Sequence, residues 1–538
     1  MLKKITLLLL FLVTICSYAQ EDAWVYLTDK PNETVALNNP ISILTQKALD
    51  RKQNHGIAID VRDVPVHEPY IATLKSQTGI TVMAKSKWFN AVHVRGTETD
   101  ISALTSLPFV DNIDFADNGL DTGSRSAAVY DKTEIEDASI VFTYGNTQNQ
   151  VEMINADNLH LDDFTGEGIT IAVMDAGFPN VNTMAAFQRL RDNGDLLDGY
   201  DFVNRDDNVY ASTINSHGTR VLSTMAAFVQ DEFVGTAPDA SYYLFLTEDA
   251  TSENPVEESY WVEAAERADS LGVDMINTSL GYTQYDNSNY NYTPADMNGQ
   301  VAFITKGASI AAEKGILVVV SAGNAGASSW QTVGAPADSP NVLSIGGVDE
   351  AGNYVAFSSQ GSVAQVGYQK PDVVARAGTA YVVDENNVIT QNNGTSFSSP
   401  ILCGGIASLW QAIPNASPVE VMDYVRQSAS QYTMPDEFLG YGIPDLALAR
   451  TLGVEQEAFD SFSFYPNPVK DLLKFNLPVD IDDFQVAIYS QLGQKVSEKS
   501  ISHEFNTIDV SELSSGIYLI QLSSESNSKT LKFIKGKY

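Results

Sequence analysis

Between residues 169 and 348, apolar runs alternate with helical patterns, and this alternation restricts the fold more than any other feature of the chain. Ile169–Met174, Tyr242–Leu246, Met275–Ser279, Ile316–Ser321 and Val342–Val348 are near-continuous apolar runs, whereas Thr219–Phe228, Val256–Ser270 and Val301–Lys314 carry helical periodicity between them. A strand that is apolar on both faces is buried on both faces, and parallel neighbours need a crossover, usually a helix. An α/β domain is expected, with a mostly parallel sheet and helices on both faces.

At 538 residues the chain exceeds what one core can fill, since single cores stop growing near ~250–300 residues. Residues 1–19 read as a signal peptide: Lys3 and Lys4, an apolar run Ile5–Cys16, then Ser17-Tyr18-Ala19. Acylation at Cys16 is the competing reading, but Ile15 stands where a small residue is wanted. Residues 20–116 mix short strands (Ala23–Leu27, Ser86–Val94) with a helical pattern at Ile101–Leu107 and read as a small α+β domain. The polar stretch 117–143 reads as a linker, 144–453 as the α/β domain and 454–460 as a second linker. Residues 461–538, with short alternating strands and the turns Tyr465-Pro466-Asn467-Pro468 and Ser514-Ser515-Gly516, read as a small β-sandwich.

The net charge of -36 argues against general binding to nucleic acid or anionic membranes and favours cationic partners and metal ions. The charge sits mainly in the α/β segment, where residues 144–451 hold 38 Asp and Glu against 11 Lys and Arg, while residues 461–538 hold 9 against 8. That shift supports a boundary near 453–460. Beyond the leader, Cys403 is the only cysteine, so no internal disulfide can form. The Ile5–Cys16 run is shorter than the ~20 apolar residues a transmembrane helix needs, and no second candidate of that length is seen.

Six histidines narrow the choice of a general base, and only His160 and His217 fall in the α/β domain. His160 is flanked by leucines, ordinary for a packed turn. His217 stands in Asn215-Ser216-His217-Gly218-Thr219, where a polar loop opens a helix. Asp175 ends the run Ile169–Met174, and open α/β sheets place ligands outside the carboxyl ends of their strands. Alone, it would read as a turn-forming residue. Ser396 lies in Gly394-Thr395-Ser396-Phe397-Ser398-Ser399-Pro400, at a helix start whose free N–H groups suit an oxyanion; Ser398 and Ser399 are rivals as nucleophile. Asn324 ends Leu317–Gly323, and its amide is either a second oxyanion donor or a turn residue.

The chain order Asp175, His217, Asn324, Ser396 resembles that of the subtilisin-like (subtilase, S8) serine peptidases. The resemblance covers about residues 144–453 and rests on Val173-Met174-Asp175-Ala176-Gly177, His217-Gly218-Thr219, Ser321-Ala322-Gly323-Asn324 and Gly394-Thr395-Ser396. Ala176, Arg220 and Phe397–Pro400 depart mildly from the family pattern. The resemblance implies a secreted serine endopeptidase with Asp175, His217 and Ser396 as catalytic triad and Asn324 in the oxyanion hole. It further implies that Ser279, Leu280 and Gly281 pair with the substrate backbone, that protein or peptide is the substrate, and that the chemistry needs no cofactor. The insertion Tyr282–Pro294 either shapes the cleft or is a solvated loop, the latter being slightly favoured. Subtilases often bind structural calcium, but no acidic cluster has dedicated ligand spacing and no metal residues are assigned.

Residues 20–116 resemble the subtilase propeptide, through Asn90–Val94 and Leu107–Val110, which implies an intramolecular inhibitor. Residues 461–538 resemble the type IX secretion sorting domain of Bacteroidetes, through Tyr465–Pro468, Leu513–Tyr518 and Lys529, Lys532 and Lys535. That implies export through the periplasm to the medium or cell surface by the type IX machinery; a cell-wall or substrate-binding β-module is the alternative. Two other classes compete for the whole chain. A non-catalytic adhesin on this scaffold would require a damaged triad. An α/β-hydrolase esterase would require a different motif order and G-x-S-x-G around Ser396.

Overall fold

The computed structural model describes residues 20–117, 142–211, 214–361, 367–460, 462–477, 484–502, 505–523 and 528–536. The signal peptide (1–19) and nearly all of the 117–143 linker lie outside the described residues.

The first unit is an antiparallel sheet of β1 (Glu21–Leu27), β2 (Thr81–Ser86), β3 (Ala91–Gly96) and β4 (Val110–Phe115), in the order β2-β3-β1-β4. Helices Gln46–Asn54, Glu68–Lys75 and Glu98–Ala103 connect the strands, so this is the α+β region expected from sequence.

The second unit carries the parallel sheet. Its strands are β5 (Thr170–Asp175) and β6 (Leu196–Asp201), then, after a short β7 (Phe228–Val229) and β8 (Phe233–Val234) pair, β9 (Ser241–Leu246), β10 (Met275–Thr278), β11 (Leu317–Ser321), β12 (Leu343–Val348) and β13 (Val373–Arg376). Seven strands pair in the order β13-β12-β11-β10-β5-β9-β6, and every pairing is parallel. All six residues of β5 are buried, because helices cover both faces. On one side lie His217–Ala226 and Thr395–Ala412; on the other lie Val256–Leu271 and Phe303–Glu313. The chain order of strands reverses direction at β5, so helices leave on opposite faces there and open a crevice at the carboxyl ends.

A hairpin, β14 (Ala380–Val383) and β15 (Ile389–Asn392), precedes the helix Thr395–Ala412. Helix Leu446–Asp460 then runs through residues 454–460, so the stretch read as a linker is helical instead. Past it, β16 (Ser463–Tyr465), β17 (Leu472–Asn476), β18 (Phe484–Ser490), β19 (Lys495–Ile501), β20 (Thr507–Asp509), β21 (Gly516–Ser523) and β22 (Ser528–Lys535) form two sheets, β16-β17-β20 and β19-β18-β21-β22. Phe475, Val486, Ile520, Leu522 and Phe533 fill the core between them.

The first unit docks on helices Val256–Leu271 and Phe303–Glu313 through charges taken out of water. Asp269 accepts from Arg51 Nη2 at 2.5 Å and Lys52 Nζ at 2.7 Å, and all three side chains are buried. Asp63 of the first unit pairs with Lys314 at 2.8 Å and with Lys52 at 3.1 Å. Glu266 accepts from the backbone N–H groups of Lys87 (2.8 Å) and Trp88 (2.9 Å) and from Ser86 Oγ. Burial pushes the Glu266 carboxyl up to about 7. Apolar contact fills the remainder, with Trp24 stacked on Phe303 at 4.7 Å and its indole N–H bonded to Ser259.

A buried ion pair stripped of one partner costs about 3–5 kcal/mol, because the remaining charge is left uncompensated. Asp269→Ala leaves Arg51 without a carboxylate in the interface and Lys52 with Asp63 alone. Amide exchange across Gln46–Asn54 in the full chain should then accelerate at least ~100-fold, as 1.4 kcal/mol is a tenfold change in an opening equilibrium. An acceleration under about threefold would show that this pair does not hold the interface.

Candidate active site

Asp175 is the last residue of β5 and is fully buried. Its carboxylate is held from two directions: Oδ1 accepts from the Ala176 N–H at 2.7 Å, and His217 Nδ1 lies 2.8 Å from Oδ1 and 3.0 Å from Oδ2. An ionised carboxylate can only accept, so Nδ1 carries the proton and Nε2 is left free as a base. Burial opposes the charged imidazole, but the Asp175 charge and hydrogen bond outweigh it, and the His217 ring is held above its ordinary range.

His217 is the first residue of the helix His217–Ala226, where Asn215 Oδ1 accepts its backbone N–H at 2.8 Å. Two glycines allow the approach. Gly177 has φ +142°, and a Cβ on Gly218 would lie 2.5 Å from the Gly177 carbonyl oxygen and 2.9 Å from Asp175 Cβ. Any side chain at 218 would push the His217 helix off the strand that carries Asp175.

Ser396 is the second residue of the helix Thr395–Ala412. The turn before it depends on Gly394, at φ +146°. Phe397 sets its ring 6.0 Å from the His217 ring, so the two helix starts meet. Ser396 Oγ donates to the Ser279 carbonyl at 3.4 Å, and no Ser396–His217 hydrogen bond is formed. Resting sites often hold such pairs loosely and tighten them around substrate. Pro400, four residues on, has no N–H for the Ser396 carbonyl; Ser279 Oγ supplies the donor at 2.9 Å. Ser398 and Ser399 are fully buried and bonded elsewhere, to Thr395 O and to Asn277 Oδ1, both at 3.1 Å.

Asn324 follows Gly323, whose φ is +101°. Its Oδ1 accepts from Thr395 N–H (2.9 Å) and Thr395 Oγ1 (3.1 Å), which leaves Nδ2 exposed beside Gly394 with no partner among the described residues. Beyond β10, Tyr282 pairs with Ala335, but the backbone groups of Leu280 and Gly281 make no hydrogen bond among the described residues. These groups are open to pairing with an added strand. Ser279, Leu280 and Gly281 border a cleft of about 640 Å³ with His217, Ala176 and Glu248.

The structure thus gathers Asp175, His217, Ser396, Asn324 and Ser279–Gly281 at one end of the sheet. His160 lies elsewhere, buried between Tyr144 OH and Thr236 O and pushed down to about 4 by burial, a neutral packing residue. The insertion Tyr282–Pro294 is not the solvated loop that was favoured. Tyr282, Tyr285 and Tyr290 are buried, Tyr285 and Tyr292 donate to Glu258, and Tyr290 OH reaches Glu21 at 2.9 Å. Sequence reasoning also missed Glu248, which precedes Asp249 in a loop with no periodic signal; Tyr282 OH holds it at 2.8 Å. No group of three or more His, Cys, Asp or Glu that could hold a metal ion lies among the described residues.

Residues 22–132 match the peptidase S8 propeptide domain of Bacteroidota, and residues 463–536 match a secretion system C-terminal sorting domain. The latter indicates export to the medium or the cell surface. No helix among the described residues is long and apolar enough to cross a membrane. Subtilisin DY of Bacillus licheniformis is 28% identical over 290 residues, covering 54% of this chain and 92% of that protein. Subtilisin of Bacillus pumilus is 28% identical over 305 residues, covering 56% of this chain and 97% of that protein. The subtilase family itself matches residues 166–442, just over half of the chain and the whole of the parallel sheet. This chain therefore belongs to the subtilase family and is a secreted serine endopeptidase.

Proposed function

We propose that Asp175, His217 and Ser396 are the catalytic triad of this peptidase. The observation that carries the reading is a His217 ring fixed by a fully buried Asp175 on one side and packed against the Ser396 helix on the other. His217 Nε2 removes the hydroxyl proton as Ser396 Oγ attacks the peptide carbonyl carbon, and the carbonyl π electrons move onto oxygen. The Ser396 N–H, at a helix start, and Asn324 Nδ2 hold that oxyanion. His217 then donates its proton to the departing amine as the C–N bond breaks. A water molecule, deprotonated by the same nitrogen, attacks the acyl carbon, and as the bond to Ser396 Oγ breaks His217 returns the proton to Oγ, which frees the carboxylic acid product. Asp175 stays ionised and supports the imidazolium in both steps. The substrate backbone pairs with Leu280 and Gly281 as an added strand.

We further infer that residues 20–116 act as an intramolecular inhibitor. The buried charges at the docking interface and Tyr290 of the insertion next to the cleft support this. The C-terminal unit is read as the address for a type IX secretion route through the periplasm.

In subtilisin, loss of the oxyanion-hole Asn lowers turnover ~10²-fold to 10³-fold. Asn324→Ala should do the same here with KM nearly unchanged; a loss under about threefold would return Asn324 to a turn role. Turnover needs neutral His217, whose ionisation lies above the usual ~6.5. The acid limb of kcat/KM should therefore have its midpoint above ~6.5, and Asp175→Asn should move it to lower pH while cutting kcat ~10⁴-fold. A limb that stays in place in Asp175→Asn contradicts the pairing. Deleting residues 461–538 should leave an active peptidase in the periplasm, and its normal appearance in the medium would refute the address reading.

A further inference from the structure

Glu248 lies two residues past β9, beside the end of β5, on the wall of the cleft that His217 and Ser279–Gly281 also border. It is partly exposed to the cleft yet crowded by protein on nearly every side. Its orientation is fixed: Oε2 accepts from Tyr282 OH at 2.8 Å, and Tyr282 is fully buried directly after Gly281. Oε1 has no hydrogen-bond partner among the described residues. The loop that carries Glu248 onward is also fixed, because Glu257 accepts the backbone N–H groups of Asp249 and Asn254, both at 2.8 Å.

Among the described residues, no Lys or Arg pairs with this carboxylate. The charged groups that act on it are Glu253, Asp175, Glu257 and His217, and His217 is neutral when it serves as a base. Glu253, on the same wall, has no hydrogen bond from its carboxylate among the described residues. Burial and Glu253 push the Glu248 carboxyl up to about 8, the expected response of an acid that lacks a positive partner. No metal-type cluster is formed there among the described residues. A cationic side chain entering the cleft would supply the partner that this carboxyl lacks and would favour its ionised form. A peptide paired with Leu280 and Gly281 presents alternate side chains to the walls beside it.

We propose that Glu248 is a specificity-determining residue that pairs with a Lys or Arg side chain of the substrate, within the four residues before the scissile bond. The inference rests on the proteolytic reading above. It predicts that unstructured, basic protein segments are cut in preference to acidic ones. Tyr282 acts through Glu248 as its positioning residue.

The test uses mature enzyme produced from the full chain and a fluorogenic peptide library varied at each of the four positions before the cleaved bond. At one of them Lys or Arg should be favoured over Leu about tenfold or more in kcat/KM, the size of a charge-assisted hydrogen bond in a partly buried site. In Glu248→Gln that ratio should fall to within about threefold, and in Glu248→Arg it should invert towards Asp and Glu. Each ratio is internal to one variant, so a general loss of rate does not affect it, and a merely structural role for Glu248 would not invert it. Cleavage of peptides with no cationic preference at any of the four positions would overturn this inference alone, as would a preference retained in Glu248→Gln. Failure to cleave any peptide would overturn the proteolytic reading and this inference with it.

Discussion

A carboxylate with no access to water must be surrounded by donors, and the active end of this protein is arranged around that requirement at Asp175. Placing Asp175 at the end of a strand covered on both faces removes its solvent, so the Ala176 N–H and the His217 ring become obligatory partners. The His217 helix must then start within contact of the strand, which only glycine at 177 and 218 permits. The Ser396 helix start is fastened in turn, by Asn324 to Thr395 and by Ser279 to a carbonyl that Pro400 leaves free. Rigid elements rather than loops thus hold each reacting group, which is what precise positioning needs.

The docking of the first unit follows a different physics. Desolvating Arg51, Lys52, Asp63, Asp269 and Lys314 gives little net stability over an apolar interface, because the cost of leaving water nearly cancels the attraction between them. What such pairs impose is geometry, since a shifted docking would strand charges in the interface. Glu266 adds direction, as its carboxylate receives consecutive backbone N–H groups from one turn of the partner unit. The tyrosine insertion completes the seat, linking Glu258 of the peptidase unit to Glu21 of the first.

The alternation of apolar strands with helices was sufficient to read the five inner strands of the parallel sheet from sequence, because burial on both faces leaves no polar face to blur the pattern, whereas the edge strands β6 and β13 were not read. Asp175, His217, Asn324 and Ser396 stood out because each sits where an element begins or ends. Features made by contacts between distant segments were not legible. Nothing in the sequence marks Arg51 and Lys52 for burial, since their partner Asp269 lies more than 200 residues away along the chain. Tyr282–Pro294 has the composition of a solvated loop, and only buried carboxylates elsewhere in the chain turn its hydroxyls into packing groups. Residues 454–460 looked like a linker because the charge balance changes there, but helix periodicity continues across a change in charge. Glu248 gave no signal, since its meaning depends on Tyr282 and on the cleft that both help to form.

The central claim is that Ser396, and no neighbouring hydroxyl, attacks the peptide bond with His217 as its base. The most direct measurement treats the mature enzyme with a fluorophosphonate and locates the adduct by mass spectrometry, alongside Ser396→Ala and Ser398→Ala proteins. The account predicts a single adduct on Ser396, loss of both adduct and casein hydrolysis in Ser396→Ala, and retention of both in Ser398→Ala. An adduct on another residue, or comparable hydrolysis by Ser396→Ala, would contradict it.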